Sequence, residues 1–255
     1  MKNKFTILGC GSSLGSPWIT NYKGKLKKNI KNLRTRCCAH IKKGNLSVLI
    51  DTSPDIKYQF LKNKIKNLDS IIYTHEHADQ TAGIFEMRPF YWKNKKKIPI
   101  YGSLRTINEL KDKYTFCFKP KDGYKPIMKA KIVKKKFKIF KKGTNVEIEP
   151  FEVKHGMIKA TGYLFDKIAY ISDCSKISKK VSEKLMNLNF LVIDCLRKNK
   201  HPSHFNYDEA IDFVKLVKPK KTILTNLHVD LDYFKLKKKL PKNIIPAFDG
   251  LSFNF

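Results

Sequence analysis

Thr74-His75-Glu76-His77-Ala78-Asp79 is the stretch whose reading decides the fold. It follows Leu68-Asp69-Ser70-Ile71-Ile72-Tyr73, an apolar run that reads as a buried strand. In an extended segment, residues two apart point the same way, so His75, His77 and Asp79 can converge on one small volume. Two imidazoles and a carboxylate at a strand end make a metal nest rather than a polar loop with incidental histidines.

Three further donors follow strand-like segments. His155 closes Val153-Lys154-His155, Asp173 closes Tyr170-Ile171-Ser172-Asp173, and His228 follows Ile223-Leu224-Thr225-Asn226-Leu227. A lone histidine after a strand is usually a satisfied polar residue, and a lone aspartate there is often a helix cap. Together with His75, His77 and Asp79 they form a set that two metal ions could share. Imidazole and carboxylate donors without thiolate suit Zn, Mn or Fe rather than a structural cysteine zinc. Open coordination positions on such an ion hold water and bring its pKa toward neutrality.

The surrounding chain supplies alternating strands and helices. Strands are expected at 5–9, at 38–41 and 46–51 around Lys43-Gly44-Asn45, and at 98–101, 146–153, 160–165, 168–171, 190–195 and 222–224. Helical spacing covers 54–67, with Ile56, Phe60, Leu61 and Ile65 on one face, and also 104–114 and 207–217. Pro120, Gly123 and Pro126 make 115–128 a loop. Mixed strands with helices outside predict an α/β fold, a four-layer αββα sandwich in one domain over residues 1–255.

The 255 residues carry a formal net charge of +31, nearly all of it lysine, with five arginines. Sequence-reading nucleic-acid sites lean on bidentate arginine, so the runs 23–36, 93–97 and 134–142 read as solvated lysine surface before they read as a nucleic-acid face. No apolar stretch reaches membrane-spanning length, and the N-terminus leads directly into a strand without signal-peptide architecture. Six scattered cysteines fit small core residues in a reducing, cytoplasmic setting. His40, within a strand, reads as structural, and His201 as surface.

These features resemble the metallo-β-lactamase-fold metallohydrolases, over nearly the whole chain. The family's His-x-His-x-Asp-His signature is matched by His75-Glu76-His77-Ala78-Asp79-Gln80 except at its last position. Gly9-Cys10-Gly11-Ser12-Ser13-Leu14-Gly15-Ser16-Pro17, Asp51-Thr52-Ser53-Pro54-Asp55, Pro202-Ser203-His204-Phe205 and Leu227-His228-Val229-Asp230 resemble the phosphodiesterase branch. That branch includes the phosphoribosyl cyclic phosphate phosphodiesterase of phosphonate breakdown, and its cousins include tRNA 3′-processing endonucleases.

The resemblance implies that His75, His77 and His155 hold a first metal, that Asp79 and His228 hold a second, and that Asp173 bridges them. His204 is implied to protonate the leaving alkoxide, while Asp79 and Asp173 orient a metal-bound hydroxide. One or two divalent ions, Zn or Mn, are the expected cofactors. A glutamine ligates only through its amide oxygen, so Gln80 is expected to weaken the second site or to turn it toward Mn. Relatives can hold a separate cysteine zinc after the opening motif. Here 23–36 offers no cysteine, so none is expected. The glycine-rich opening reads as a close backbone turn at the edge of the site, with Ser12 or Ser13 near a substrate phosphate. The expected function is hydrolysis of a small, cyclic phosphodiester. An RNA-processing nuclease and a non-catalytic metal-binding protein are the alternatives. The expected partners are the small diester, with nucleic acid less favoured, a homodimer open and no membrane.

Overall fold

The computed structural model describes residues 3–120 and 122–255. The reading of Met1 and Lys2 as free of a targeting segment, and Lys121 of the expected loop, lie outside the described residues. The strands form two seven-stranded sheets. The first runs in chain order through β1 (Lys4–Gly9), β2 (Cys38–Lys43), β3 (Leu46–Ile50), β4 (Ser70–Ile72), β5 (Ile98–Gly102) and β6 (Met128–Ile132). The second does the same through β7 (Phe137–Lys141), β8 (Thr144–His155), β9 (Ile158–Phe165), β10 (Ile168–Ile171), β11 (Phe190–Asp194), β12 (Lys221–Thr225) and β13 (Ile244–Pro246). β14 (Ser252–Asn254) returns to pair beside β1.

Each sheet is antiparallel on one side and parallel on the other, with β3 to β6 and β10 to β13 parallel. The helices are α1 (Ile56–Lys62), α2 (Ala78–Thr81), α3 (Arg88–Asn94), α4 (Leu104–Lys113), α5 (Thr115–Phe118), α6 (Lys179–Lys184), α7 (Tyr207–Val217) and α8 (Tyr233–Lys239).

Side-chain alternation along the strands makes four layers. Phe5, Ile7, Ile41, Val48 and Ile72 of the first sheet pack between the sheets against Ile148, Tyr163, Phe165, Tyr170 and Val192 of the second. Their neighbours on the opposite faces point outward. Leu49, Ile71 and Ile100 meet Ile56 and Phe60 of α1 with Ile107 and Leu110 of α4. Ile171, Leu191, Ile193 and Leu224 meet Leu185, Phe213, Val217 and Leu236. This is the αββα sandwich expected from the sequence. The loops leaving β4, β8, β10, β11 and β12 gather at one edge, where sheets of this kind present ligands.

Several expected boundaries move. The helix expected to reach residue 67 stops at Lys62, because Asn63 takes the C-cap and Lys64 turns left-handed at φ 54°. The strand expected to end at Asp51 ends at Ile50, where Asp51 adopts φ 64°. The segment read as a loop carries the short helix α5 and ends at β6. The lysine run 134–142, read as plain solvated surface, contains β7, whose Ile139 is buried between the outward-facing Lys138 and Phe140. β6 and β7 are the outermost strands of their sheets, where lysines discourage pairing with another chain. Among the described residues, no helix is long and apolar enough to cross a membrane.

Candidate active site

The turn after β4 is pinned before it presents its histidines. Across the sandwich, Thr161 N–H donates to Thr74 O at 2.8 Å and the Tyr163 hydroxyl to Tyr73 O at 2.6 Å. Alternation sends His75 and His77 one way and Glu76 the other. Glu76 is buried, ion-paired to Arg105 Nε at 2.7 Å and bonded to the Thr106 hydroxyl.

His75 is buried and its tautomer is set by a relay. Thr74 Oγ1 donates to Asp51 Oδ2 at 2.9 Å, so it accepts from His75 Nδ1–H at 3.0 Å and leaves Nε2 with a lone pair. His155, the last residue of β8, donates Nδ1–H to Ser203 O at 2.7 Å, which also leaves Nε2 with a lone pair. Gly156 makes this approach possible: it sits at φ 58°, and a Cβ there would come within 2.4 Å of Ser203 Oγ. The two Nε2 atoms face His77 Nδ1, at 3.1 Å from His75 and 3.2 Å from His155. His77 is exposed and lies at the mouth.

The three ring nitrogens lie within 4.8 Å of one another. Burial lowers the His75 pKa to about 3, and burial with the neighbouring His155 lowers that of His77. Three converging ring nitrogens, with the second nitrogens of His75 and His155 tied to oxygen acceptors, are an arrangement that ligates a metal, so this donor set fits a divalent cation.

Asp173, after β10, is brought within the same 4.8 Å of His155 and His204. Burial alone would raise its carboxyl, but His75, His204 and His155 around it hold it below the ordinary range. His204 Nδ1 is 2.8 Å from Asp194 Oδ2, and its ring centroid lies 4.7 Å from that of His155. Burial depresses the His204 pKa, but the charge and hydrogen bond of Asp194, then Asp173 and Asp79, outweigh it and push it up to about 9. Asp194 itself is fully buried, and burial raises its carboxyl to about 6. Asn226 Nδ2 spans Asp194 Oδ1 at 3.0 Å and Asp173 Oδ1 at 3.4 Å.

Asp79 and His228 stand apart from these clusters, outside both groups of donor atoms that close to within 4.8 Å among the described residues. Asp79 is partly buried on α2, and burial with the Asp173 charge raises its carboxyl. His228 Nδ1 pairs with Asp230 Oδ2 at 3.0 Å, leaving Nε2 free, and its ring packs edge-on to Trp18 at 5.7 Å. Gln80 is fully buried, with Nε2 3.3 Å from both Asp79 Oδ2 and Asp173 Oδ2.

The opening turn does lie at this edge: Gly11 bridges Leu227, and Leu227 N–H donates to Cys10 O at 2.8 Å. Ser12 is buried there and Ser13 exposed. His40 is buried in β2 and bonds Ser47 Oγ at 2.7 Å. His201 is partly exposed, its ring packs 5.1 Å from His204, and its Nδ1 accepts Ser203 N–H. Asp194, Asn226, Asp51 and Asp230 carry no role in the sequence reading. The signal for Asp194 was present: a charged residue closing the apolar run Leu191-Val192-Ile193 needs a buried partner.

A family model described as a beta-lactamase superfamily domain matches residues 47–226. A solved diphosphatase of the PhnP family superposes with a TM-score of 0.90 at 30% identity, covering 100% of this chain and 98% of that one. Zn(2+)-bound PqqB from Methylobacterium extorquens shares the fold at a TM-score of 0.78 and 13% identity, covering 99% and 100%. The human tRNase Z short form does so at 0.70 and 17%, covering 98% of each chain. A curated relative from Porphyromonas gingivalis, an octanoyltransferase, is 28% identical over 251 residues, which span 96% of this chain but 50% of that protein. The chain belongs to the beta-lactamase superfamily and, within it, to the PhnP family.

Proposed function

We propose that this chain, read as one domain over residues 1–255, is a metal-dependent hydrolase of phosphoric esters that acts on a small phosphodiester. The observation that carries the reading is the convergence of His75 Nε2, His77 Nδ1 and His155 Nε2 on one point, with His204 beside it on a buried carboxylate. A divalent cation, Zn or Mn, held by those nitrogens and Asp173 would supply Lewis acidity to a phosphoryl oxygen and acidify a water.

The remaining work falls to the chain's own groups. Asp194 holds the His204 ring at Nδ1, so Nε2 can carry a proton to the departing alcohol oxygen. Asn226 fixes Asp194 and Asp173 relative to each other. Thr74 and Ser203 keep His75 and His155 in the ligating tautomer.

The similarity to a PhnP-family diphosphatase supports phosphoryl chemistry, with a cyclic diester or a diphosphate as the substrate. Octanoyl transfer, named for the P. gingivalis relative, describes a protein twice the matched length. A cysteine carrying an acyl group must be an accessible thiolate, whereas all six here are buried and burial pushes each thiol up. The charge of +31 favours one second reading, cleavage of RNA.

A panel of cyclic diester, linear diester, diphosphate and structured RNA, offered to metal-loaded protein, tests both readings. Chelator-sensitive turnover of a small ester is expected. Cleavage of RNA alone would favour the nuclease, and no phosphoryl hydrolysis at all would overturn the proposal.

A further inference from the structure

We infer that the site holds a single cation, because Gln80 closes the position that a second would need. The inference rests on the three-imidazole reading above. Gln80 is fully buried and its backbone is tied on both sides: its N–H donates to His77 O at 3.1 Å and its carbonyl accepts Thr52 N–H at 2.8 Å. The main chain that carries the amide is therefore fixed at the edge of the site. Its terminal amide lies between Asp79 Oδ2 and Asp173 Oδ2, at 3.3 Å from each. Only the N–H2 side of an amide can face two carboxylate oxygens, since an amide oxygen there would be repelled by both.

Both amide hydrogens are thus engaged by the pair of carboxylates that would have to grip a second ion. Gln80 Oε1 is turned away, buried and without a hydrogen-bond partner. No donor rewards the oxygen in that place, so it is the carboxylates that fix the orientation. To ligate a cation the amide would have to turn over, breaking both hydrogen bonds, and would then offer a weaker donor than the imidazole found in relatives. Asp79 and His228 remain outside the groups that close to within 4.8 Å among the described residues. The N–H2 group of Gln80 stands where the second ion would stand, a neutral dipole in place of a charge.

The test is a metal count on stripped full-length protein reloaded separately with Zn2+ and Mn2+. Elemental analysis and native mass spectrometry give the stoichiometry, and electron paramagnetic resonance of the Mn2+ form reports spin coupling. One ion per chain is expected, with the six-line signal of an isolated Mn2+. Gln80→His should take a second equivalent and show a coupled pair. Gln80→Glu, which cannot donate and offers an anionic oxygen, should do the same if the histidine variant does not fold. Two tightly held ions or a coupled pair in the unaltered protein would overturn the inference. So would folded Gln80→His and Gln80→Glu proteins that both stay at one ion. A protein that binds no ion would instead defeat the three-imidazole reading itself.

Discussion

His204 Nδ1 lies 2.8 Å from a fully buried carboxylate, which keeps the ring charged and fixes where its other nitrogen points. If that nitrogen protonates the leaving group, His204→Ala should lower kcat by about 10²–10⁴-fold for alkyl diesters and far less for activated aryl esters. Asp194→Asn should produce a smaller loss with the same bias, since it removes the charge and keeps the shape. Equal losses on both substrate types would assign His204 to structure instead.

His40 allows a separate test of buried titration. Burial, with Lys42 and Lys4 nearby, lowers its pKa to about 3 from an ordinary 6.5. Between those values the unfolded chain binds the proton and the folded one does not, so stability falls as pH drops through that window. In urea unfolding at neutral pH and near pH 5, His40→Gln should lose less stability than the parent. The difference should be up to about 1.4 kcal/mol per pH unit. Parallel curves would show that His40 already carries its proton in the fold.

Spacing and position after strands placed His75, His77, His155 and Asp173, the family resemblance placed His204, and the structure draws donor atoms of these five into two overlapping clusters. Asp194 was legible only as a charge in need of a buried partner, and Asn226 and Asp51 were not legible at all. Their meaning depends on which loops meet at the sheet edge, and local pattern does not carry that.

At the scale of elements, the segment bearing His204 is anchored by the start of α7. Asn206 accepts Glu209 N–H and Glu209 returns a bond to the Asn206 N–H, each at 2.9 Å, a capping box. Asn206→Ala should lower stability by about 1 kcal/mol, read as a shift in the denaturation midpoint. No shift would mean that packing of Phe205 and Phe213 alone holds the helix. α7 was legible to the residue because its apolar spacing, cap and acidic first turn agree. The long apolar strands and the layer order were legible for the same reason.

α6, α8, β6, β7, β13 and β14 were not. The helices are short and lysine-rich, with few buried residues: Ser182 in α6, and Tyr233 and Leu236 in α8. β6 and β7 alternate weakly because each is exposed along one edge, and β13 and β14 are three residues each. Neighbours across the sheet define such elements more than their own composition does.

At the scale of the whole molecule, strands of both sheets end at one edge of a strongly basic chain. A charge of +31 should steer anionic substrates toward the site. Raising salt from about 50 mM to about 500 mM should lower kcat/KM on the order of tenfold while leaving kcat nearly unchanged, because only the encounter is screened. An equal fall in kcat would point to metal loss rather than steering. The central claim is that three histidines hold the ion on which phosphoryl hydrolysis depends. The most direct measurement is turnover of a small phosphodiester by stripped protein, by the same protein reloaded with Zn2+ or Mn2+, and by reloaded His77→Ala. The account predicts turnover in the reloaded parent and background in the other two. Undiminished turnover without metal, or in His77→Ala, would contradict it.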